Sequence, residues 1–300
     1  MFLICHFLAR LPLWLLHALG AAAGLCVYLA SSRYRYHLRE NMAQAGISPK
    51  LRLKAAREAG KQSLEILKIW MRPQEEAVAM IREVTGQDCL DAALSRAKVS
   101  GRGILYLTPH LGCFEITAQY LAATLGDITV LYRPPRYKAL HDLILTGRKR
   151  ERLHLAAADM GGVRALIRAL KRGEAAGVLP DQAPRAGEGV WLNFFGRPAY
   201  TMTLAARLSE AAGATLLVWG ERLPRGRGFR LHFSSPDFPA ESDTLLRAQQ
   251  INRETENLVR CCPTQYLWGY NRYKKGRHMT PEEAPTNDAA QAAPSSPETQ

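Results

Sequence analysis

The sequence predicts an α/β fold in which a mainly parallel central sheet is flanked by helices and preceded by an N-terminal hydrophobic anchor helix. Three observations carry this expectation. Short apolar runs alternate with helix-length segments between residues 103 and 179, the pattern of successive βα units. Residues 11–30 contain no formal charge over a length that suits a bilayer crossing. From His278 onward the composition turns to Pro, Ala, Glu, Gln, Ser and Thr without apolar periodicity, which cannot bury enough surface to fold by itself. Three hundred residues at 47% hydrophobic suffice for one large domain with extensions, not for two independent cores. The expected division is a membrane anchor over 1–32, a catalytic domain over 33–277 and a disordered tail over 278–300.

The anchor reads LPLWLLHALGAAAGLCVYLA, with Pro12 and His17 its only awkward members. Arg33, Arg35 and Arg39 follow it and Arg10 precedes it, so the positive-inside tendency puts the rest of the chain in the cytoplasm. Trp14 and Tyr28 suit the two interfaces. A cleaved signal peptide is the alternative, but the arginine-rich flank behaves as a stop-transfer signal.

Over 49–71, Leu53, Ala56, Leu64, Leu67 and Trp70 recur at steps of three and four among charged residues, as an amphipathic helix requires, and Arg72-Pro73 ends it. A buried strand is expected over 103–108, stopped by Pro109. A helix over 114–125, strand 128–132, helix 139–146, strand 153–157, helix 163–171 and strand 175–179 complete the alternation. Strands over 215–219 and 229–233, joined by a turn holding Arg225-Gly-Arg-Gly228, precede a last helix over 244–259.

The net charge of +13 is uneven, because the last 22 residues hold Glu282, Glu283, Asp288 and Glu298 and no Lys or Arg. The remaining surface attracts anionic partners, whether nucleic acid, anionic lipid or an acidic carrier protein, and charge alone does not choose among them. The six cysteines form no C-x-x-C pair and no zinc-like spacing, which fits a reducing compartment.

The chemistry concentrates in Leu107-Thr-Pro-His110-Leu-Gly-Cys-Phe-Glu115, where a strand ends and a helix begins. Ligands bind at such strand ends in open α/β sheets. At about 100° per residue, five steps along one helix would set His110 and Glu115 on diverging faces, so they meet only if His110 precedes the helix on a turn permitted by Pro109 and Gly112. A carboxylate hydrogen-bonded to one imidazole nitrogen fixes the tautomer and frees the other nitrogen to take a proton from an alcohol. The expectation is therefore that His110 is a general base and Glu115 its partner. The bland reading is a histidine satisfied at a helix start. Cys113 as a nucleophile activated by His110 is the weaker alternative to a core cysteine. Arg133, Arg148 and Arg150 stand at or beside expected strand ends, where guanidinium groups clamp phosphates or face developing negative charge, or are simply surface charges. Asp181, after the strand over 175–179, is expected near His110, orienting Arg148 or a substrate, or forming an ordinary Pro-Asp turn.

These residues resemble a known family, the late acyltransferases of lipid A biosynthesis, the lauroyl and myristoyl transferases of Gram-negative bacteria within the glycerolipid acyltransferase superfamily. His110 to Glu115 is similar to its H-x4-D/E motif. The resemblance continues through Leu131-Tyr-Arg-Pro-Pro135, Gly147-Arg-Lys-Arg150, Leu179-Pro-Asp-Gln182, Gly189-Val, Asn193-Phe-Phe-Gly-Arg-Pro-Ala199 with Thr201, Gln265-Tyr-Leu-Trp268 and Arg272-Tyr-Lys274, over about residues 10 to 277. Tyr137 and His141 depart from the family pattern, and the tail extends past its usual end. The resemblance implies an acyl chain donated by acyl carrier protein, direct transfer with neither metal nor cofactor, a phosphorylated glycolipid (a lipid A precursor) as acceptor, and no nucleic acid partner. It implies substrate contacts for Arg133, Arg148, Arg150 and Asp181, and an acyl channel walled by Phe194-Phe195-Gly196, for which a plain core role is the alternative. Two other readings stand beside it: the same fold acting on another bacterial glycolipid, and a non-catalytic basic protein that docks anionic lipid or nucleic acid.

Overall fold

The computed structural model describes residues 2–134, 137–148, 150–239 and 242–274. The tail expected over 278–300 lies outside the described residues. The chain begins with helices α1 (Phe2–Arg10), α2 (Leu13–Ala30), α3 (Ser32–Gln44), α4 (Arg52–Met71) and α5 (Gln74–Val78), then strand β1 (Ile81–Thr85) and helix α6 (Gln87–Ser100). It continues through β2 (Ile104–Leu107), α7 (Phe114–Thr124), β3 (Ile128–Tyr132), α8 (Lys138–Arg148), β4 (Leu153–Ala157), α9 (Met160–Lys171) and β5 (Ala175–Val178). A hairpin of β6 (Gly189–Phe194) and β7 (Arg197–Met202) leads to α10 (Leu204–Ala211), β8 (Ala214–Arg222), β9 (Phe229–Ser234) and α11 (Thr244–Cys261).

Seven strands form one mixed sheet in the order β1-β9-β8-β2-β5-β3-β4. β8, β2, β5, β3 and β4 run parallel to one another, while β9 is antiparallel to β8 and carries β1 parallel to itself. The parallel centre is the expected one; the antiparallel edge comes from the tight turn around Arg225-Gly-Arg-Gly228, which returns β9 beside β8 without a crossover helix. β2 is buried along its whole length because both faces of the sheet are covered. Its Ile104 and Tyr106 pack with Ile116, Leu216 and Phe229 on one face. Leu105 and Leu107 pack with Leu166, Leu217 and Ile251 on the other, as the two-residue period of a strand dictates.

The N-terminus is broken at Leu11-Pro12 into α1, which ends in Arg10, and α2, which holds most of the uncharged segment, since proline cannot continue the hydrogen-bond ladder of a preceding helix. α2 has 18 residues, a mean hydropathy of 1.8 and one third of its length buried, and by length and composition it can cross a membrane. One face of α2 lies against α4 so closely that a Cβ on Gly60 would stand 2.0 Å from the Gly20 carbonyl oxygen and 2.6 Å from the Gly24 nitrogen. Small residues at this spacing let helix backbones touch. The other face exposes Trp14, Leu19, Val27 and Leu29. Tyr28, expected at an interface, instead packs into the core with Leu38, Met42 and Trp268, because it falls on the face turned toward the domain.

His17 of α2 is buried with its Nε2 2.8 Å from Glu65 of α4. Glu65 also receives two bonds from Arg222 at the end of β8, at 2.7 and 2.6 Å, and Arg222 reaches Glu58 at 2.7 Å. Burial alone would raise the Glu65 carboxyl, but Arg222 and His17 outweigh it and hold it at about 2, against an ordinary 4.5. A carboxyl depressed on folding contributes stability that is complete above its unfolded value and is lost as the pH falls through its folded one. Acid unfolding, followed by tryptophan fluorescence of the detergent-solubilised protein, is therefore expected to steepen between pH 4.5 and about 2, and Glu65→Gln should flatten that slope. An unchanged slope in the variant would remove Glu65 as its source.

Candidate active site

His110 sits on the short connection between β2 and α7, at the carboxyl end of the central strand. Its loop is fixed from three sides. The Leu267 N–H donates to the His110 carbonyl at 3.1 Å, the Gly112 N–H to the Gln265 carbonyl at 3.0 Å, and Gln62 of α4 to the Gly112 carbonyl at 2.8 Å. Gly112 turns the chain with φ of +59°, and a Cβ there would lie 2.0 Å from the Gly220 oxygen, so no other residue fits the turn.

The turn decides which carboxylate meets the imidazole. β5 lies beside β2 in parallel register, so the residues following both strands emerge together. Asp181 thereby accepts twice from His110: from Nδ1 on Oδ1 at 2.8 Å and from the backbone N–H on Oδ2 at 3.0 Å. Asp181 is buried, 3% exposed. Burial pushes its carboxyl up, the His110 ring and its two bonds pull it down further, and the net effect is a lowered value. At Nε2 the His110 ring meets the Gln182 carboxamide nitrogen at 3.0 Å, and Phe114 packs against the ring with centroids 4.9 Å apart. With the carboxamide nitrogen turned toward Nε2, the contacts fit the tautomer whose proton is on Nδ1, toward Asp181.

Glu115 is not the partner of His110, contrary to expectation. After the left-handed turn at Gly112 it enters the first turn of α7 pointing between α4 and α8, where the Arg148 side chain binds it through both Nε and Nη2, the former at 2.9 Å. The Trp70 indole N–H donates to the same carboxylate at 2.9 Å, and the Arg148 guanidinium lies over the Trp70 ring. The two expected site pairs are thus exchanged: Asp181 serves His110, and Glu115 serves Arg148. Arg150 directs its Nη2 at the carbonyls of Ile69, Trp70 and Arg72, at 3.2, 3.4 and 3.0 Å, which places it at the carboxyl end of α4. These bonds cap the helix. Arg133 is exposed beyond β3.

Cys113 is 1% exposed, and burial together with nearby Glu65 raises its thiol well above the ordinary value, so a thiolate nucleophile is disfavoured. Phe194 and Phe195 are buried with Trp268 in the cluster at the end of the domain, which selects the core role for them over the channel wall. Phe195-Gly196 forms the hairpin turn between β6 and β7 with φ positive at both residues, and this tips the Phe195 ring inward. A cavity between α7 and the sheet is lined by Tyr106, Leu121, Ile128, Leu153 and Val178 and reaches Glu115 and Arg148.

Sequence reasoning missed the roles of Gln182 and of Arg272. Arg272 is 2% exposed, bonded to the Tyr200 carbonyl at 2.8 Å and the Thr201 hydroxyl at 2.9 Å, and it lies over the Phe194 ring. No local signal separates such a residue from a surface arginine, since its burial depends on the hairpin that covers it.

An imidazole held by a buried carboxylate at the strand ends of a helix-covered sheet is an arrangement that can take a proton from a hydroxyl, and its setting is that of an α/β enzyme. The family model described as bacterial lipid A biosynthesis acyltransferase matches residues 5–275 of the chain. A lipid A biosynthesis lauroyltransferase of Escherichia coli (strain K12) is 27% identical over 228 residues, covering 75% of this chain and 72% of the relative. A lipid A biosynthesis palmitoleoyltransferase of the same strain is 26% identical, covering 73% and 69%. A lipid A biosynthesis acyltransferase of Haemophilus influenzae is 24% identical, covering 58% and 55%. The chain belongs to the bacterial lipid A biosynthesis acyltransferase family, and it is an acyltransferase.

Proposed function

We propose that this enzyme moves a fatty acyl chain from acyl carrier protein to a hydroxyl of a lipid A precursor, with His110 as general base and Asp181 as the carboxylate that orients it. The observation that carries this reading is the pair of bonds that Asp181 accepts from His110, which fixes the ring with Nε2 turned away from the carboxylate. In the reaction, Nε2 takes the proton of the acceptor hydroxyl as its oxygen forms a bond to the thioester carbonyl carbon. The tetrahedral intermediate then expels the carrier thiolate by breaking the C–S bond, and the imidazolium returns the proton to that sulfur. The cavity lined by Leu121, Ile128 and Leu153 is only about 40 Å³, so it would take an acyl chain only after α7 and the sheet move apart. Arg133 and Arg148 supply positive charge for the acceptor phosphate; Arg148 commits Nε and Nη2 to Glu115 and leaves Nη1 for substrate. The basic surface draws in both an acidic carrier and an anionic headgroup. The exposed apolar face of α2 attaches the protein to the bacterial inner membrane with the catalytic domain on the cytoplasmic side.

The test is product analysis. Purified enzyme given lauroyl- or myristoyl-acyl carrier protein and a tetra-acylated lipid A precursor is expected to yield a penta-acylated product by mass spectrometry. Acylation of another bacterial glycolipid with no turnover of the lipid A precursor would overturn the acceptor. Turnover with a coenzyme A thioester alone would overturn the donor.

A further inference from the structure

The nitrogen that has to accept a proton is already occupied. Gln182 follows Asp181 directly, and the two residues grip opposite nitrogens of one imidazole, Asp181 at Nδ1 and Gln182 at Nε2, at 2.8 and 3.0 Å. A hydroxyl attacking a thioester has to approach Nε2 along the direction that the Gln182 amide now fills, because an imidazole nitrogen offers one lone pair in the ring plane. The grip is held from behind, since the Tyr270 hydroxyl accepts from the N–H of Ala183 at 3.1 Å and thereby fixes the loop just past the glutamine. A primary amide suits this place for a second reason. Its N–H satisfies an unprotonated Nε2, and after a half-turn of the side chain its carbonyl satisfies a protonated one.

We propose that Gln182 is a positioning residue that covers the proton-accepting nitrogen of His110 until the acceptor hydroxyl displaces it, so that water is not activated against the bound acyl thioester. The inference rests on His110 being the base. The reaction it suppresses is hydrolysis: a water proton passes to Nε2, the water oxygen bonds to the thioester carbonyl carbon, the C–S bond breaks, and the proton moves to the departing thiolate, giving a fatty acid and a free thiol. Displacing the amide exchanges one neutral hydrogen bond for another when the acceptor is an alcohol held by its own binding contacts. A lone water has no such contacts to offset the exchange, which is the source of the discrimination.

Two variants test this with lauroyl-acyl carrier protein as donor and tetra-acylated lipid A precursor as acceptor. Gln182→Ala is expected to raise the ratio of free laurate to acylated product by about fivefold to tenfold, the value of one hydrogen bond. Gln182→Glu puts an acceptor where a donor stood and favours a protonated Nε2. Its kcat/KM profile is therefore expected to move to higher pH by about one unit or more. The charged and titratable groups that stay constant are Asp181 on the ring itself and, beside Asp181, Tyr266 and Arg272 of the C-terminal segment. A merely structural role would lower turnover without moving either the product ratio or the pH profile, and that result would overturn the proposal. Should the alanine variant fail to fold, the near-isosteric glutamate variant still decides through its pH profile. His110→Ala separates the layers: full turnover in that variant sinks the base, whereas an inactive His110→Ala beside wild-type ratios and profiles in both Gln182 variants sinks the Gln182 role alone.

Discussion

Replacing Asp181 with asparagine is expected to lower kcat by on the order of 10³- to 10⁴-fold while leaving the fold and KM near those of the parent, as loss of the correct imidazole tautomer does in comparable dyads. The contacts explain why the effect is chemical rather than structural. An asparagine Oδ1 can still accept from the His110 backbone N–H, replacing the bond that Asp181 makes at 3.0 Å. Its amide nitrogen then faces Nδ1 and donates to it, so the ring proton moves to Nε2, the atom that needs to be vacant of hydrogen. His110→Ala removes the same function and should fall to a similar residual rate. Steady-state kinetics on both variants, with circular dichroism to establish folding, check the expectation. An Asp181→Asn enzyme within tenfold of the parent kcat would show that the buried carboxylate is not what orients the base.

Glu115 variants are expected to fail in a different way. Its carboxylate holds two arms of Arg148 and the Trp70 indole, all in a largely buried setting with the Glu115 side chain 6% and Arg148 18% exposed. Removing one partner from such a pair leaves the other charge uncompensated, at a cost of about 3–5 kcal/mol. Glu115→Ala should therefore lose stability by about that amount in denaturant unfolding. Glu115→Ala combined with Arg148→Met should recover much of the loss without recovering turnover, if the arginine serves the substrate as proposed. The pH profile of whatever activity Glu115→Ala retains should match the parent. Parent-like stability combined with a displaced pH profile would mean that Glu115 acts on His110 after all.

The contrast between these two carboxylates marks what the sequence could and could not reveal. The parallel centre of the sheet, from β2 through β5, was legible because each buried strand is a short apolar run closed by Pro, Gly or Asp, and each helix between them shows its own period. β1 was not legible, since Ile81-Arg-Glu-Val-Thr85 carries two charges and sits at a sheet edge where polar side chains meet solvent. The β6–β7 hairpin was missed because its strands are only half buried and its turn uses Phe195 rather than the usual Asn or Asp. At the site, proximity in sequence suggested His110 with Glu115. Proximity in space is set by which strands are neighbours, and the order β2-β5 is a tertiary fact that no local pattern encodes. Asp181 was placed near His110 from the strand-end rule, yet its bond to Nδ1 depended on that same adjacency.

The contact of Gly20 and Gly24 with Gly60, together with the burial of His17 on Glu65, makes the greasy leader a part of the folded body rather than a tether. The helix that receives it also holds the histidine loop through Gln62 and the indole that steadies Glu115. Trimming the leader to obtain a water-soluble fragment would uncover the face of α4 that Gly60 presents to it and take from Glu65 its bond to His17. Removal of the leader is consequently expected to disturb the histidine loop through α4 as well as to take away an apolar surface.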